Sequence, residues 1–124
     1  MNRSYSLEVR PLEKRVIVEF EGRRLVDSTS CLELRETAHD PRIYVPPADV
    51  DFDHLFRTET ETLCPFKGVA HYYGVRVGEK EVRDAFWVYE EIHERAFDHV
   101  EAKDVRRIQG MLSPDSSKLD VRIE

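Results

Sequence analysis

No apolar run in this chain approaches the roughly 20 residues needed to cross a bilayer as a helix, so a membrane is not an expected partner. The opening Met1-Asn2-Arg3-Ser4-Tyr5-Ser6 lacks the apolar stretch of a secretory signal, and the cytoplasm is the expected compartment. Cysteine is scarce. Cys31 and Cys64 are the only two, they form no Cys-x-x-Cys pair, and in a reducing compartment both are expected as free thiols. With five scattered histidines, this leaves no spacing typical of zinc, and neither a metal nor a cofactor is expected. Positive charge is in deficit too: 19 Lys and Arg stand against 25 Asp and Glu, a formal net charge of -6, with the signs interleaved as in Glu79-Lys80-Glu81-Val82-Arg83-Asp84. Such a chain lacks the field that draws proteins to a phosphate backbone, so nucleic acid is not an expected partner. The five glycines form no phosphate-cradling loop.

What is present suits one globular domain over residues 1–124, with 1–12 as a flexible or edge-strand arm. Such a chain can bury roughly two thirds of its unfolded surface. Val16-Ile17-Val18 reads as a strand that Glu21-Gly22 reverses into Arg24-Leu25-Val26-Asp27. Leu32 and Leu34 alternate with charges in Cys31–Glu36 and so share one face of a third strand. Asp40-Pro41 marks a turn, Ile43-Tyr44-Val45 an extended piece, and Pro46-Pro47 its end. Ala48 to Leu55 fits either alternation or a short helical turn. Thr58–Thr62 and Ala70–Val77 are β-prone, with Cys64-Pro65-Phe66-Lys67-Gly68 turning between them and Gly78-Glu79 reversing the chain into Lys80-Glu81-Val82. Phe86-Trp87-Val88-Tyr89 reads as a short aromatic strand, and Leu119, Val121 and Ile123 alternate in a last one. Helical spacing is confined to Ile92, Ala96, Phe97, Val100, Val105 and Ile108. The expectation is a mainly β (β-rich α+β) fold. Its strands would form a compact antiparallel sheet, a partly open barrel or a tent-like arrangement, with one short helical region near 90–108.

Several motifs, in order and spacing, resemble the bacterial family called domain of unknown function 427. They are Val26-Asp27-Ser28, Leu34-Arg35-Glu36-Thr37 with His39 and Pro41, Tyr44-Val45-Pro46-Pro47 with Asp49-Val50, Cys64–Gly68, and Ala85-Phe86-Trp87-Val88-Tyr89. The resemblance runs from about Arg15 to Ile123 and implies a compact β-rich domain. The family's nucleotidyltransferase-like label is a name and implies no mechanism. Two stretches depart from the family pattern: Tyr89 to Gly110 is longer and lacks a proline beyond Trp-x-Tyr, and Leu112-Ser113 stands where aromatics are usual.

The chemistry-bearing residues concentrate in these motifs. Cys64 and Lys67 flank a turn stiffened by Pro65, and a nearby ammonium lowers a thiol pKa, so Cys64 is a candidate nucleophile that needs a base from His39 or His71. Cys64, Lys67, Glu36 and His39 are thus the candidate catalytic set, and whether the chain is an enzyme stays open. Glu36, Tyr44, Lys67, Tyr72, Trp87 and Tyr89 suit a small polar or anionic ligand, through charge, oriented hydroxyls and stacking. The expected function is ligand binding around the Cys64–Lys67 turn. One alternative is a non-catalytic interaction module that homodimerises through a sheet edge or the 90–108 region. Another is metal-dependent nucleotidyl transfer through Asp49 and Asp51, which share a face if extended.

Overall fold

The computed structural model describes residues 5–92 and 101–124, with Glu101 described by its backbone alone. Strands dominate: β1 (Ser6–Pro11), β2 (Val16–Phe20), β3 (Arg23–Ser28), β4 (Leu32–Glu36), β5 (Arg42–Tyr44), β6 (Leu55–Cys64), β7 (Gly68–Val77), β8 (Lys80–Tyr89), β9 (Glu101–Lys103), β10 (Leu112–Pro114) and β11 (Asp120–Ile123). They form three sheets, ordered β5-β4-β1-β9, β10-β8-β7-β6 and β11-β2-β3, and none closes into a barrel. All described pairings are antiparallel except β1 with β9. Just beyond β5, Val45 exchanges backbone hydrogen bonds with Leu112 (2.7 and 2.9 Å), which stitches the first sheet to the second.

Each strand follows from its side-chain pattern. Val16, Ile17 and Val18 are all buried because β2 lies between β11 and β3. Alternation on β4 buries Leu32 and Leu34, and β1 brings Leu7 and Val9 opposite them. The apolar side chains gather in two clusters. One holds Val16, Val18, Leu25, Val75 and Phe86. The other holds Leu7, Val9, Leu34, Tyr44, Tyr89 and Ile108 and backs the candidate site.

Within the stretch 1–12 expected as a flexible or edge-strand arm, Ser6–Pro11 forms β1, an inner strand between β4 and β9 because both its sides are paired, and residues 1–4 lie outside the described residues. Ala48 to Leu55 resolves into two 3-10 turns, Pro47–Asp49 and Phe52–His54, the second capped by Asp51 accepting from the Asp53 amide at 3.1 Å. Lys80–Val82 and the aromatic Phe86–Tyr89 are one strand, broken in register by a bulge at Asp84 (φ 54°). The short helical region expected near 90–108 is present in the described part beside a short strand. Glu101–Lys103 extends to satisfy the open side of β1, and only Val105–Ile108 turns helically, as a four-residue 3-10 piece that buries Val105 and Ile108. Residues 93–100 of that reading lie outside the described residues. No described helix is long and apolar enough to cross a membrane.

Candidate functional site

Two facing sheets build the site, and register decides which side chains meet. On the first sheet Arg42 lies opposite Leu34, Tyr44 opposite Leu32, and Glu36 opposite Leu7. Because strand side chains alternate, Leu34, Glu36, Arg42 and Tyr44 look the same way. On the second sheet Tyr72 pairs with Trp87, Ala70 with Tyr89 and Cys64 with Gly68. That face turns toward the first. Between them lies a cavity of about 440 Å³, bordered by Glu36, His39, Tyr44, Cys64, Lys67, Tyr72, Trp87 and Tyr89, with Tyr5 and Arg42 also contributing.

The turn at Cys64–Gly68 places the central cation. The Lys67 amide donates to the Cys64 carbonyl at 3.3 Å, and Gly68 follows with φ 107°, a conformation that any side chain with a Cβ adopts only under strain. Lys67 is thereby folded inward. Its Nζ donates to Glu36 Oε1 at 2.6 Å, and both side chains are buried, 9% and 7% exposed. The Tyr5 hydroxyl donates to Glu36 Oε2, and His39 Nε2 lies 3.7 Å from the same oxygen on the solvent side. Burial raises the Glu36 carboxyl pKa, but the hydrogen bonds from Lys67 and Tyr5 outweigh it, and the group is held below its ordinary range. The Lys67 ammonium also lies 5.6 Å from the centre of the Tyr89 ring.

Aromatic side chains form the rest of the wall. Trp87 Nε1 donates to the Tyr44 hydroxyl at 3.1 Å, which fixes the indole plane. The Tyr72 hydroxyl and Thr62 Oγ1 are 2.8 Å apart, and Tyr5 stacks on Phe66 with ring centres 4.7 Å apart. Burial pushes the phenols of Tyr5, Tyr44 and Tyr89 well above their ordinary pKa, with Glu36 adding to the shift at Tyr5 and the neighbouring Tyr44 adding to it at Tyr89. All three stay protonated at neutral pH. They remain neutral hydroxyls beside a charge-balanced pair.

The candidate nucleophile fares differently. Cys64 is half-buried against the second apolar cluster, and its thiol has no hydrogen-bond or ion-pair partner among the described residues. Lys67 is committed to Glu36, and His39 also faces Glu36. His71 lies on the other face of β7, 3.4 Å from Glu61 and 3.5 Å from Glu90. A thiol–base dyad is therefore not assembled by these contacts. Cys31 is buried in the other cluster, where desolvation raises its thiol pKa. The aspartates are spent locally: Asp49 accepts from Ser28 Oγ at 2.6 Å, and Asp51 caps its turn and sits 3.9 Å from His54. No group of three or more metal-ligating side chains occurs among the described residues.

Residues 8–123 match the family described as a domain of unknown function, DUF427. The chain belongs to the DUF427 family. No curated protein matches it. In this DUF427 chain, Tyr5 and Arg42 are two polar lining residues that sequence reasoning missed. Tyr5 is 31 residues from its partner Glu36, and only the antiparallel register of β1 on β4 brings them together. Arg42 reaches the cavity through its position opposite Leu34 on β5, which its local sequence does not mark.

Proposed function

We propose that this DUF427 domain binds a small polar ligand with a planar face in the cavity between its first two sheets. The observation that carries this reading is the Lys67–Glu36–Tyr5 network at the base of that cavity. A buried, balanced ion pair is costly to assemble and adds little net stability, so its place at the base of an open aromatic cavity fits recognition better than scaffolding. The wall supplies stacking surfaces in Trp87 and Tyr72 and fixed hydroxyls in Tyr44 and Tyr5. Since Glu36 already balances Lys67, the pair offers polarity without net charge. The test is a thermal-stability screen of small polar ring compounds on the wild type and on the Glu36→Gln/Lys67→Met double variant. Compounds that raise the wild-type midpoint and leave the folded variant unmoved support the reading; equal shifts in both proteins contradict it.

The homodimerising alternative has one observation on its side. Leu63, 77% exposed, lies opposite Val69 at the tip of the hairpin that ends edge strand β6. Sedimentation that shows a monomer over a wide concentration range removes this reading.

A further inference from the structure

A second cavity of about 360 Å³ adjoins the first and is bordered by Pro41, Ile43, Pro114, Asp115 and Ser117. The two cavities share Trp87 and Arg42. Arg42 lies on edge strand β5, is exposed, and its guanidinium has no hydrogen bond or ion pair among the described residues. Its situation contrasts with that of Lys67, whose charge is consumed by Glu36 at 2.6 Å. Of the cavity acids, Asp115 accepts from two neutral donors, the Ser117 amide and hydroxyl at 2.9 and 2.6 Å, and neither Asp115 nor the exposed Asp40 has a cationic partner among the described residues, so Arg42 is the cation these two carboxylates leave available.

We propose that the ligand is a ring-bearing organic acid, with its ring in the first cavity beside Trp87 and its carboxylate or phosphate on Arg42 where the two cavities meet. This rests on the ligand-binding reading above and assigns the charge recognition to Arg42 in place of Lys67. The guanidinium is a rigid planar fork suited to two parallel bonds to an oxyanion, whereas the paired ammonium of Lys67 has its charge already matched. The adjoining indole provides the stacking surface for the ring.

Trp87 is the chain's sole tryptophan, so its fluorescence reports this junction alone. Benzoate, phenyl phosphate and the uncharged benzamide are titrated into the wild type, into Arg42→Gln, and into Arg23→Gln as a surface control. The expected result is quenching by one or both acids with an affinity roughly tenfold above that of benzamide. Added salt should reduce the preference, and Arg42→Gln but not Arg23→Gln should abolish it. The stronger acid identifies the oxyanion. If acid and amide quench alike, or Arg42→Gln keeps the preference, this inference falls while the ligand-binding reading stands. If none of the three quenches at concentrations on the order of 10 mM, both fall.

Discussion

Glu36 is the residue on which the site turns, because three different elements deliver groups to its two oxygens: Lys67 from the β6–β7 turn, Tyr5 from before β1, and His39 from beyond β4. Removing one partner of a buried pair leaves an uncompensated charge, whereas removing both leaves none. Glu36→Gln and Lys67→Met are each expected to cost about 3 kcal/mol in denaturant unfolding, and the double variant to recover most of that loss. Single effects that simply add would contradict the coupling. The pH dependence has a fixed sign. Because the folded Glu36 pKa is lowered from its ordinary 4.5, its contribution is full above that pH and is lost as pH falls through the folded value. The stability gap between wild type and Glu36→Gln should therefore narrow on going from neutral pH to below pH 4.5. A second pair of residues tests hydrogen-bond accounting. Ser113 Oγ is buried with no partner among the described residues, whereas Ser28 Oγ is buried and donates to Asp49 at 2.6 Å. Ser113→Ala should be neutral or stabilising by up to about 1 kcal/mol, and Ser28→Ala should cost about 1–2 kcal/mol, both read from unfolding midpoints.

At the scale of elements, the long β6–β7–β8 meander sets the cavity wall, and its register depends on a close approach. Gly74 lies opposite Phe56, and a Cβ at Gly74 would come within 2.3 Å of the Phe56 ring, which is itself covered by the Arg76 guanidinium at 5.2 Å. Gly74→Ala is expected to displace that ring and cost about 1–2 kcal/mol. In a Phe56→Ala background the same substitution should cost almost nothing. An undiminished penalty there would locate its cause in the backbone instead. The strands of this meander were legible in the sequence because alternation and β-branched runs report burial directly. Near 90–108 the expected short helical region is present as the 3-10 piece Val105–Ile108, while spacing along the chain is blind to an open strand side: β1 offers unpaired backbone groups, and Glu101–Lys103 takes them as a strand.

At the scale of the whole molecule, what the sequence could not supply was juxtaposition across sheets. The motif residues Glu36, Tyr44, Lys67, Trp87 and Tyr89 stood out by type, but their convergence on one cavity depends on the face each strand presents. That is set by the Val45–Leu112 stitch and by the β1–β4 register. The same topology brings in Tyr5 and Arg42, which nothing in their local sequence marks. It also separates Cys64 from His71, which takes the opposite face of β7. The molecule thus presents a polar cavity framed by two sheets, with an ion pair at its base and one indole in its wall. Trp87 gives a single indole resonance in a ¹⁵N spectrum, from the N–H that donates to Tyr44 at 3.1 Å. For any compound that stabilises the protein, saturable movement of that resonance with the same midpoint as the stabilisation is the predicted result. Stabilisation that leaves the indole signal fixed while amides elsewhere shift would place binding outside this cavity and overturn the proposed site.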